Sequence, residues 1–299
     1  MTEANSARGG FWKSLSDLAS GRLPVSLREL QSELDDRLRK VPNRLNEYGF
    51  DPFGLSLDWV RDTVLPGLLL YRYYFRVETH GIDRLPSGRV LVIANHAGQL
   101  PFDGMMLQTA LLMEAEPPRI ARAMGEYWIP QLPLVSFAAA RSGAMVGTPH
   151  NCAQMLHHGE CVAVFPEGVR GMNKLYRDRY QLQRFGLGFM RLALETHTPI
   201  VPVAIVGSEE QQPSFANFGG LAKLLGMPAF PITLGFPWLG PLGLLPMPVK
   251  YRIYFGEPIS FQGDADEEDA AIQSRVDVVR HEITAMLERG VANRSGIFR

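Results

Sequence analysis

The sequence predicts an α/β fold in which helices flank a mixed, mostly parallel central sheet. Three continuous apolar runs, rich in β-branched residues, are typical of strands buried on both faces: Val90–Ala94, residues 161–165 and Ile200–Val206. Segments with the apolar spacing of helices, such as 103–113 and 186–196, lie between these runs. Because strands that alternate with helices form parallel sheets, this order predicts the fold class.

Residues 1–49 are predicted to form an N-terminal helical extension. Ser26 and Glu29 make a capping-box pattern, and the helix that follows ends near Pro42. Four leucines fall on one face of this helix: Leu27, Leu30, Leu34 and Leu38. Such an apolar stripe packs on its own domain, on a partner or on a membrane surface, and the first outcome is the commonest.

Residues 50–290 are predicted to form one domain, followed by a flexible tail over residues 291–299. Near its start, Asp58 is expected to cap a helix that Pro66 and Gly67 interrupt. This segment carries aromatic residues and flanking arginines, but it is shorter than the about 20 residues that cross a bilayer. It is either a helix that lies in the membrane interface or a core helix with aromatic packing.

The later elements follow from apolar spacing and from the positions of Gly and Pro. Strands are predicted over residues 75–80, 89–94, 119–124, 144–146, 161–165, 200–206 and 249–255. Helices are predicted over residues 103–113, in pieces over 127–140, and over 148–157, 186–196 and 265–289.

The composition argues against several classes of function. The net charge is −1 and the isoelectric point is about 6.7, so no basic field indicates a nucleic-acid partner. Cys152 and Cys161 have no metal-binding spacing and are expected to be buried thiols in a reducing compartment. No secretory signal is expected from the first residues, and the Gly-x-Ser-x-Gly and Walker-type loops of common hydrolases and NTPases are absent.

The first chemical motif follows the strand Val90–Ala94. Asn95 and His96 leave the strand end, and Asp103 opens the next helix. A neutral imidazole can take a proton from a hydroxyl near neutral pH, and a carboxylate on its other nitrogen would fix the tautomer. The pattern therefore predicts a general base, although a His in a turn beside an Asp N-cap would give the same residues.

The second motif follows the strand over residues 161–165. Pro166 ends strand pairing and Gly168 permits an unusual backbone angle, so Glu167 and Arg170 would be held at the strand end. An arginine there suits a phosphate or a carboxylate, because its planar fork donates two hydrogen bonds. The alternative is a strand-end turn with a solvated charge pair.

With both motifs in view, the sequence resembles the phospholipid/glycerol acyltransferase superfamily, which includes the lysophosphatidic acid acyltransferases. Residues 200–207, I-V-P-V-A-I-V-G, match a further block well, and residues 137–143, which contain Arg141, match another loosely. The resemblance spans roughly residues 76–259. Six residues separate His96 from Asp103 where the usual motif has four, and this loop resembles the monoacylglycerol/diacylglycerol acyltransferase-like branch.

The resemblance implies the glycerolipid acyltransferase fold and an enzyme that moves a fatty acyl group from acyl-CoA or acyl-ACP to a glycerolipid hydroxyl. The implied acceptor is a lysophospholipid such as 1-acylglycerol-3-phosphate. His96 and Asp103 would be catalytic, and four residues would bind substrate: Glu167, Gly168, Arg170 and Arg141. No metal and no other cofactor is expected, and an acyl carrier protein is a possible partner. Acylation of a neutral acceptor, a non-catalytic lipid-binding role and a soluble esterase stay open as alternatives.

Two segments concern the membrane. Residues 170–191 are basic with interleaved aromatic residues, and we expect a loop over the site that meets phosphates of the donor or of lipid headgroups. Residues 224–249 carry no charge, but six prolines, at ~3 kcal/mol each in a helix interior, exclude a spanning helix. This segment either lines a buried acyl tunnel or dips into the headgroup layer, and we expect it to form the lipid-facing lip of the site. The protein is therefore expected at the cytoplasmic face of a membrane, as a peripheral or monotopic protein without a spanning helix.

Overall fold

The computed structural model describes residues 26–125, 133–224 and 230–299. Within these residues the strands are β1 (Glu78–His80), β2 (Val90–Ala94), β3 (Arg122–Gly125), β4 (Met145–Val146), β5 (Cys161–Val164), β6 (Ile200–Val206), β7 (Ser214–Asn217), β8 (Pro231–Thr233) and β9 (Arg252–Phe255). The α-helices are α1 (Leu27–Lys40), α2 (Leu57–Leu69), α3 (Phe102–Met113), α4 (Pro133–Arg141), α5 (Pro149–His157), α6 (Val169–Met172), α7 (Gly188–Thr196), α8 (Gly219–Leu224) and α9 (Asp269–Asn293). Of the helical pieces predicted over residues 127–140, those before residue 133 lie outside the described residues.

Seven strands form the central sheet in the order β1-β9-β6-β2-β5-β3-β4, and β7 pairs with β8 separately. In the central sheet every neighbouring pair is parallel except β6 and β9. The predicted fold class is confirmed. Ile93 of β2 lies opposite Val164 of β5, so the segments that follow these two strands leave the sheet side by side.

Both faces of the sheet are covered. Leu91 and Ile93 pack in a cluster with α5, α7 and α9, while Val90, Val92 and Ala94 pack on the other face, mainly against α3. All five residues of β2 are buried, as the uninterrupted apolar run predicts for a central parallel strand. The two cysteines are also buried as free thiols, and burial raises the pKa of each to about 11.

The predicted N-terminal helix is α1, and it packs on its own domain. Ser26 and Glu29 form the capping box, and three leucines of the stripe are buried against α2 and α3: Leu30, Leu34 and Leu38. Leu27, at the start of the stripe, is exposed. Arg37 fixes the orientation by donating to the carbonyl oxygen of Leu112 at 3.0 Å.

Two expectations for helix α2 are wrong. Its N-cap is Ser56, whose hydroxyl accepts from the amide of Trp59 at 3.4 Å, and Asp58 lies in the first turn. The helix also runs through Pro66 and continues as a π-helical turn, Leu70–Tyr74. Pro66 and the residue four positions before it are exposed, so water can bond the carbonyl that the proline leaves unpaired. Because the exposed positions are mostly polar and Val60 and Leu68 are buried, the core interpretation fits this helix.

The C-terminal helix also ends later than the sequence predicted. Helix α9 continues to Asn293 through Gly290, which is a packing glycine: a Cβ there would lie 2.6 Å from the Tyr254 ring. The carbonyl of Ile297 accepts from the amide of Lys250 at 2.9 Å, and Phe298 and Arg299 accept bonds from arginine side chains. The last helix thus runs past the predicted boundary at residue 290 and residues 297–299 are bonded to the domain, while the flexibility of the tail stays a prediction. Across residues 26–125, 133–224 and 230–299, each helix is too short or too polar to cross a bilayer.

Candidate active site

His96 and Asp103 are hydrogen-bonded at the carboxyl end of β2. The distance from His96 Nδ1 to Asp103 Oδ2 is 2.7 Å. The carboxylate is fully buried, whereas the imidazole keeps 11% of its surface exposed. Since the ionised carboxylate can only accept, Nδ1 carries the proton in the neutral ring, and Nε2 has the free lone pair of a base.

The long loop between these residues is folded so that the contact still forms. Asp103 Oδ2 also accepts from the amide of Ala97 at 2.8 Å. Gly98 has a φ of 85°, which reverses the chain, and a Cβ there would lie 2.2 Å from the Gln211 side chain. Gln212 Oε1 accepts from the amides of Gln99 and Leu100, each at 3.1 Å. The two extra residues therefore lie in a hydrogen-bonded turn, and the contact between His96 and Asp103 still forms.

The environment of His96 keeps the protonated ring stable. Burial lowers the pKa of His96, but the charge and hydrogen bond of Asp103 and the charge of Glu167 outweigh it, so the pKa lies above the ordinary value of 6.5. The ring stacks on Phe165, with 4.4 Å between ring centroids. Phe165 follows β5, so a residue of the second motif packs against the imidazole ring.

Glu167 contacts His96 through the backbone. Its Oε1 accepts from the amide of His96 at 2.9 Å, and its Oε2 accepts from the amide of Gln183 at 2.7 Å. The Glu167 side chain is fully buried and lies 3.4 Å from the ammonium group of Lys174. The sequence predicted direct contact between Glu167 and the acceptor. Both carboxylate oxygens are bonded inside the protein, and the substrate-binding role of Glu167 stays a prediction.

Gly168 and Arg170 lie where the motif predicted, beside Glu167. Gly168 has a φ of 57° and precedes α6. Arg170 is exposed, donates to the carbonyl of Arg184 at 3.2 Å and lines a surface pocket of about 360 Å³. The same pocket is lined by Lys174 and Gln183, which both contact Glu167. The carboxylate of Glu167 therefore contacts both the backbone of His96 and two residues that line this pocket.

Arg141 lies beside two aromatic rings. It is the last residue of α4, and its guanidinium lies over the ring of Phe50, 3.9 Å from the centroid, and near Phe137. Its carbonyl accepts from the amide of Ser56. These contacts join α4 to the start of α2, which is a structural role. The substrate-binding role of Arg141 stays a prediction.

A buried charged network, which the sequence did not predict, lies under the site. Lys174 Nζ is 2.7 Å from Glu209 Oε1 and 3.4 Å from Glu167 Oε2, and all three side chains are almost fully buried. Burial raises the pKa of Glu209 to about 7 against the opposing effect of Lys174. Burial lowers the pKa of Lys174, but the two carboxylates raise it above the ordinary value. Lys174 thus stays charged between them.

The segment that carries Glu209 is polar in sequence and yet buried. Its buried polar side chains are Ser208, Glu209, Glu210, Gln211, Gln212 and Ser214. The strand before this segment, β6, is bonded to Asn95, the residue before His96. The Asn95 side chain donates to the carbonyl of Ile205 at 3.1 Å and accepts from the amide of Ile205 at 2.7 Å. No periodic signal marks such residues as internal. Within the described residues, His, Cys, Asp and Glu side chains form no group of three that could hold a metal ion.

The chain is similar to known proteins in sequence and in fold. The family model named Acyltransferase matches residues 76–206. An uncharacterized protein of Mycobacterium tuberculosis is 42% identical over 258 residues, which are 84% of this chain and 72% of that protein. A human protein named DGAT1/2-independent enzyme synthesizing storage lipids is 25% identical over 208 residues, 66% of this chain and 58% of that protein.

A solved structure shares the fold. The 1-acyl-sn-glycerophosphate (LPA) acyltransferase PlsC from Thermotoga maritima aligns with a TM-score of 0.51 over 77% of this chain and 78% of that chain, at 17% identity. The fold and the matched family model define an enzyme that transfers acyl groups to oxygen. The chain belongs to the glycerolipid acyltransferase superfamily, as its motifs predicted.

Proposed function

We propose that this protein transfers a fatty acyl group from acyl-CoA or acyl-ACP to the hydroxyl of a lysophospholipid such as 1-acylglycerol-3-phosphate. The observation that carries this proposal is the 2.7 Å hydrogen bond between His96 Nδ1 and Asp103 Oδ2. It leaves Nε2 as the basic nitrogen of a partly exposed ring at the carboxyl end of a central parallel strand. Open α/β sheets bind their ligands at this end.

The proposed step is direct acyl transfer. His96 Nε2 removes the acceptor hydroxyl proton while the oxygen attacks the thioester carbonyl, and Asp103 stabilises the imidazolium that forms. The tetrahedral intermediate then collapses, the carbon–sulfur bond breaks, and the leaving thiolate takes the proton from the imidazolium. The products are the acylated lipid and the free thiol, and His96 returns to its neutral form.

The oxyanion needs a fixed donor near His96. In the described part of the chain, the amide of Ala97 is bonded to Asp103, and those of Gln99 and Leu100 are bonded to Gln212. The amide of Gly98 lies between them in the same turn. We assign it as the candidate donor of this loop.

The pocket beside Glu167 supports an anionic acceptor. Arg170 is the exposed cation at its wall; Asp178 also lines it, and the charge of Lys174 is already balanced by Glu167 and Glu209. A guanidinium suits a phosphate because it donates two parallel hydrogen bonds. We therefore propose that Arg170 binds the acceptor phosphate, with Gly168 giving the turn that aims it.

A neutral acceptor, such as diacylglycerol or a long-chain alcohol, is the second candidate. The similarity to the proteins named DGAT1/2-independent enzyme synthesizing storage lipids favours it. So does the six-residue spacing between His96 and Asp103, which resembles the monoacylglycerol/diacylglycerol acyltransferase-like branch. In this case Arg170 would instead meet the phosphates of the donor.

The test is a product analysis. Purified protein is incubated with acyl-CoA and acyl-ACP of several chain lengths and with a panel of lysophospholipids, diacylglycerol and long-chain alcohols. Mass spectrometry is expected to find an acylated lysophospholipid, and Arg170→Ala is expected to raise the KM for a phosphorylated acceptor but not for its neutral analogue. Free fatty acid as the only product, or no thioester consumption, would contradict the proposal.

A further inference from the structure

A cluster of exposed apolar side chains lies on one segment of the chain. We call residues 230–246 the apolar lobe; it contains β8 and the 3₁₀ helix Gly240–Leu244. Five of its large apolar side chains are between 65% and 73% exposed: Leu234, Trp238, Leu239, Leu242 and Leu245. The segment has no charged residue. A clustered apolar surface of this kind marks a contact with another apolar phase.

The exposure is built into the backbone of the lobe. Thr233 Oγ1 accepts from the amides of Gly235 and Phe236, at 3.3 and 2.9 Å, and donates to the carbonyl of Gly243 at 3.3 Å. The backbones of Gly235 and Gly243 touch, since a Cβ on Gly243 would lie 2.2 Å from the carbonyl carbon of Gly235. The lobe is thus a closed, bonded loop that presents its tip side chains outward.

Basic residues stand beside the lobe. Strand β7 pairs with β8, and Phe215 of β7 contacts the ring of Tyr176, with 6.2 Å between centroids. Arg179 stacks on the same ring at 4.6 Å, and the Arg177 side chain is 79% exposed. Asp178 partly offsets these charges, with its Oδ2 3.5 Å from Arg177 Nε, and leaves one positive charge in excess.

The lobe is also bonded to the loop that carries His96. Gln212 accepts from the amides of Gln99 and Leu100 and donates to the carbonyl of Leu244 in the lobe. Gln211 donates to the carbonyl of Leu100 at 3.3 Å, and its own carbonyl accepts from the amide of Met247 at 2.7 Å. Buried Gln212 therefore joins the lobe to the loop that carries His96, and buried Gln211 joins the same loop to Met247, the residue directly after the lobe.

We propose that the apolar lobe docks on an anionic phospholipid monolayer. The tip side chains enter the boundary between headgroups and acyl chains, and Arg177 and Arg179 lie at the level of the phosphates. The docked lobe holds the loop with His96 at the membrane surface, where a lipid acceptor resides. The identity of that acceptor rests on the proposed function, but the docking does not.

The first test measures co-sedimentation of the full chain with vesicles of phosphatidylcholine and phosphatidylglycerol that hold neither thioester nor lysolipid. The double variant Leu239→Asp/Leu242→Asp is expected to reduce the partition coefficient by on the order of tenfold or more, because charges replace apolar side chains in the interface. The control Val278→Asp changes a 47% exposed apolar residue on α9 and is expected to bind as wild type. Arg177→Glu is expected to weaken binding several-fold to anionic vesicles and not to pure phosphatidylcholine.

A second measurement needs no charged variant. Lipids brominated along the acyl chain are expected to quench the fluorescence of Trp238 in bound wild-type protein, and Trp238→Phe removes that quenched component. Equal binding of the double variant and wild type, or no quenching of Trp238, would overturn the proposal. Dimers that the double variant abolishes would make the lobe a self-association surface, and this result also overturns the proposal. Because these vesicles contain no substrates, a failure of the proposed reaction would not change the outcome.

Discussion

The carboxylate of Glu167 accepts a hydrogen bond from the backbone amide of His96 at 2.9 Å. A residue that follows β5 thus fixes the main chain of a residue that follows β2. The same carboxylate is bonded to the amide of Gln183 and faces Lys174. We therefore propose that Glu167 is a positioning residue, which acts on the reaction through the placement of the imidazole.

Replacing Glu167 by Gln keeps the shape of the side chain but removes its charge and one acceptor. We expect kcat to fall on the order of 10²-fold, because small displacements of a catalytic group have effects of this size. The KM for both substrates should change little, since Glu167 is buried. Glu195→Gln, at an exposed position on α7, is the matched control and should keep full activity. A large rise in the KM for the acceptor would instead indicate direct substrate contact.

The pH dependence of kcat/KM should report His96. Because its pKa is raised above 6.5, the ring stays protonated to higher pH, so activity is lost as the pH falls through a value above 6.5. Asp103→Asn removes a major cause of the raised pKa and leaves burial, which lowers it. The acidic limb should then move to lower pH, while the rate falls about 10²-fold or more. An acidic limb that stays in place in this variant would assign the titration to another group.

Position 171, beside His96, has no space for a side chain and therefore needs a glycine. A Cβ at this position would lie 2.7 Å from the carbonyl oxygen of His96 and 2.8 Å from Glu167 Cβ. Gly171→Ala should therefore displace His96 and, if His96 is the general base as proposed, lower kcat on the order of 10²-fold. Gly188→Ala, where a Cβ meets nothing within 4 Å, should leave the rate unchanged. Steady-state kinetics on both variants makes the comparison, and equal rates would show that the site adjusts.

Lys174 should contribute strongly to stability. Lys174→Met leaves the carboxylates of Glu167 and Glu209 buried together, so we expect a loss of about 3–5 kcal/mol in the free energy of unfolding. Adding Glu209→Gln removes one of those charges and should restore part of the loss. Denaturant unfolding of the two variants measures this. If the double variant is no more stable than the single one, Lys174 and Glu209 are not coupled.

The sequence predicted the main strands along the chain and the position of the two motifs at strand ends because both follow from apolar runs that end in polar residues. It did not predict what Glu167 does, since its partners His96 and Gln183 lie 71 and 16 residues away along the chain. The buried polar residues around Gln211 and Gln212 resemble a surface loop in sequence, and only the packing of the turn after His96 explains their burial.

Helix boundaries were missed for local reasons. Pro66 suggested a break, yet its solvent-facing position lets the helix continue. Gly290 suggested an end, yet it is a close contact with Tyr254 inside α9. In both cases the residue type allows two structures, and the tertiary surroundings select one.

The central claim is that His96 is the general base of acyl transfer. Single-turnover transfer from a radiolabelled acyl thioester to the identified acceptor tests it most directly, with wild type and His96→Ala compared at equal thermal stability. The account predicts a loss of about 10²–10⁴-fold in the rate of the chemical step, with the unfolding temperature nearly unchanged. A His96→Ala protein that folds normally and transfers the acyl group at the wild-type rate would contradict it.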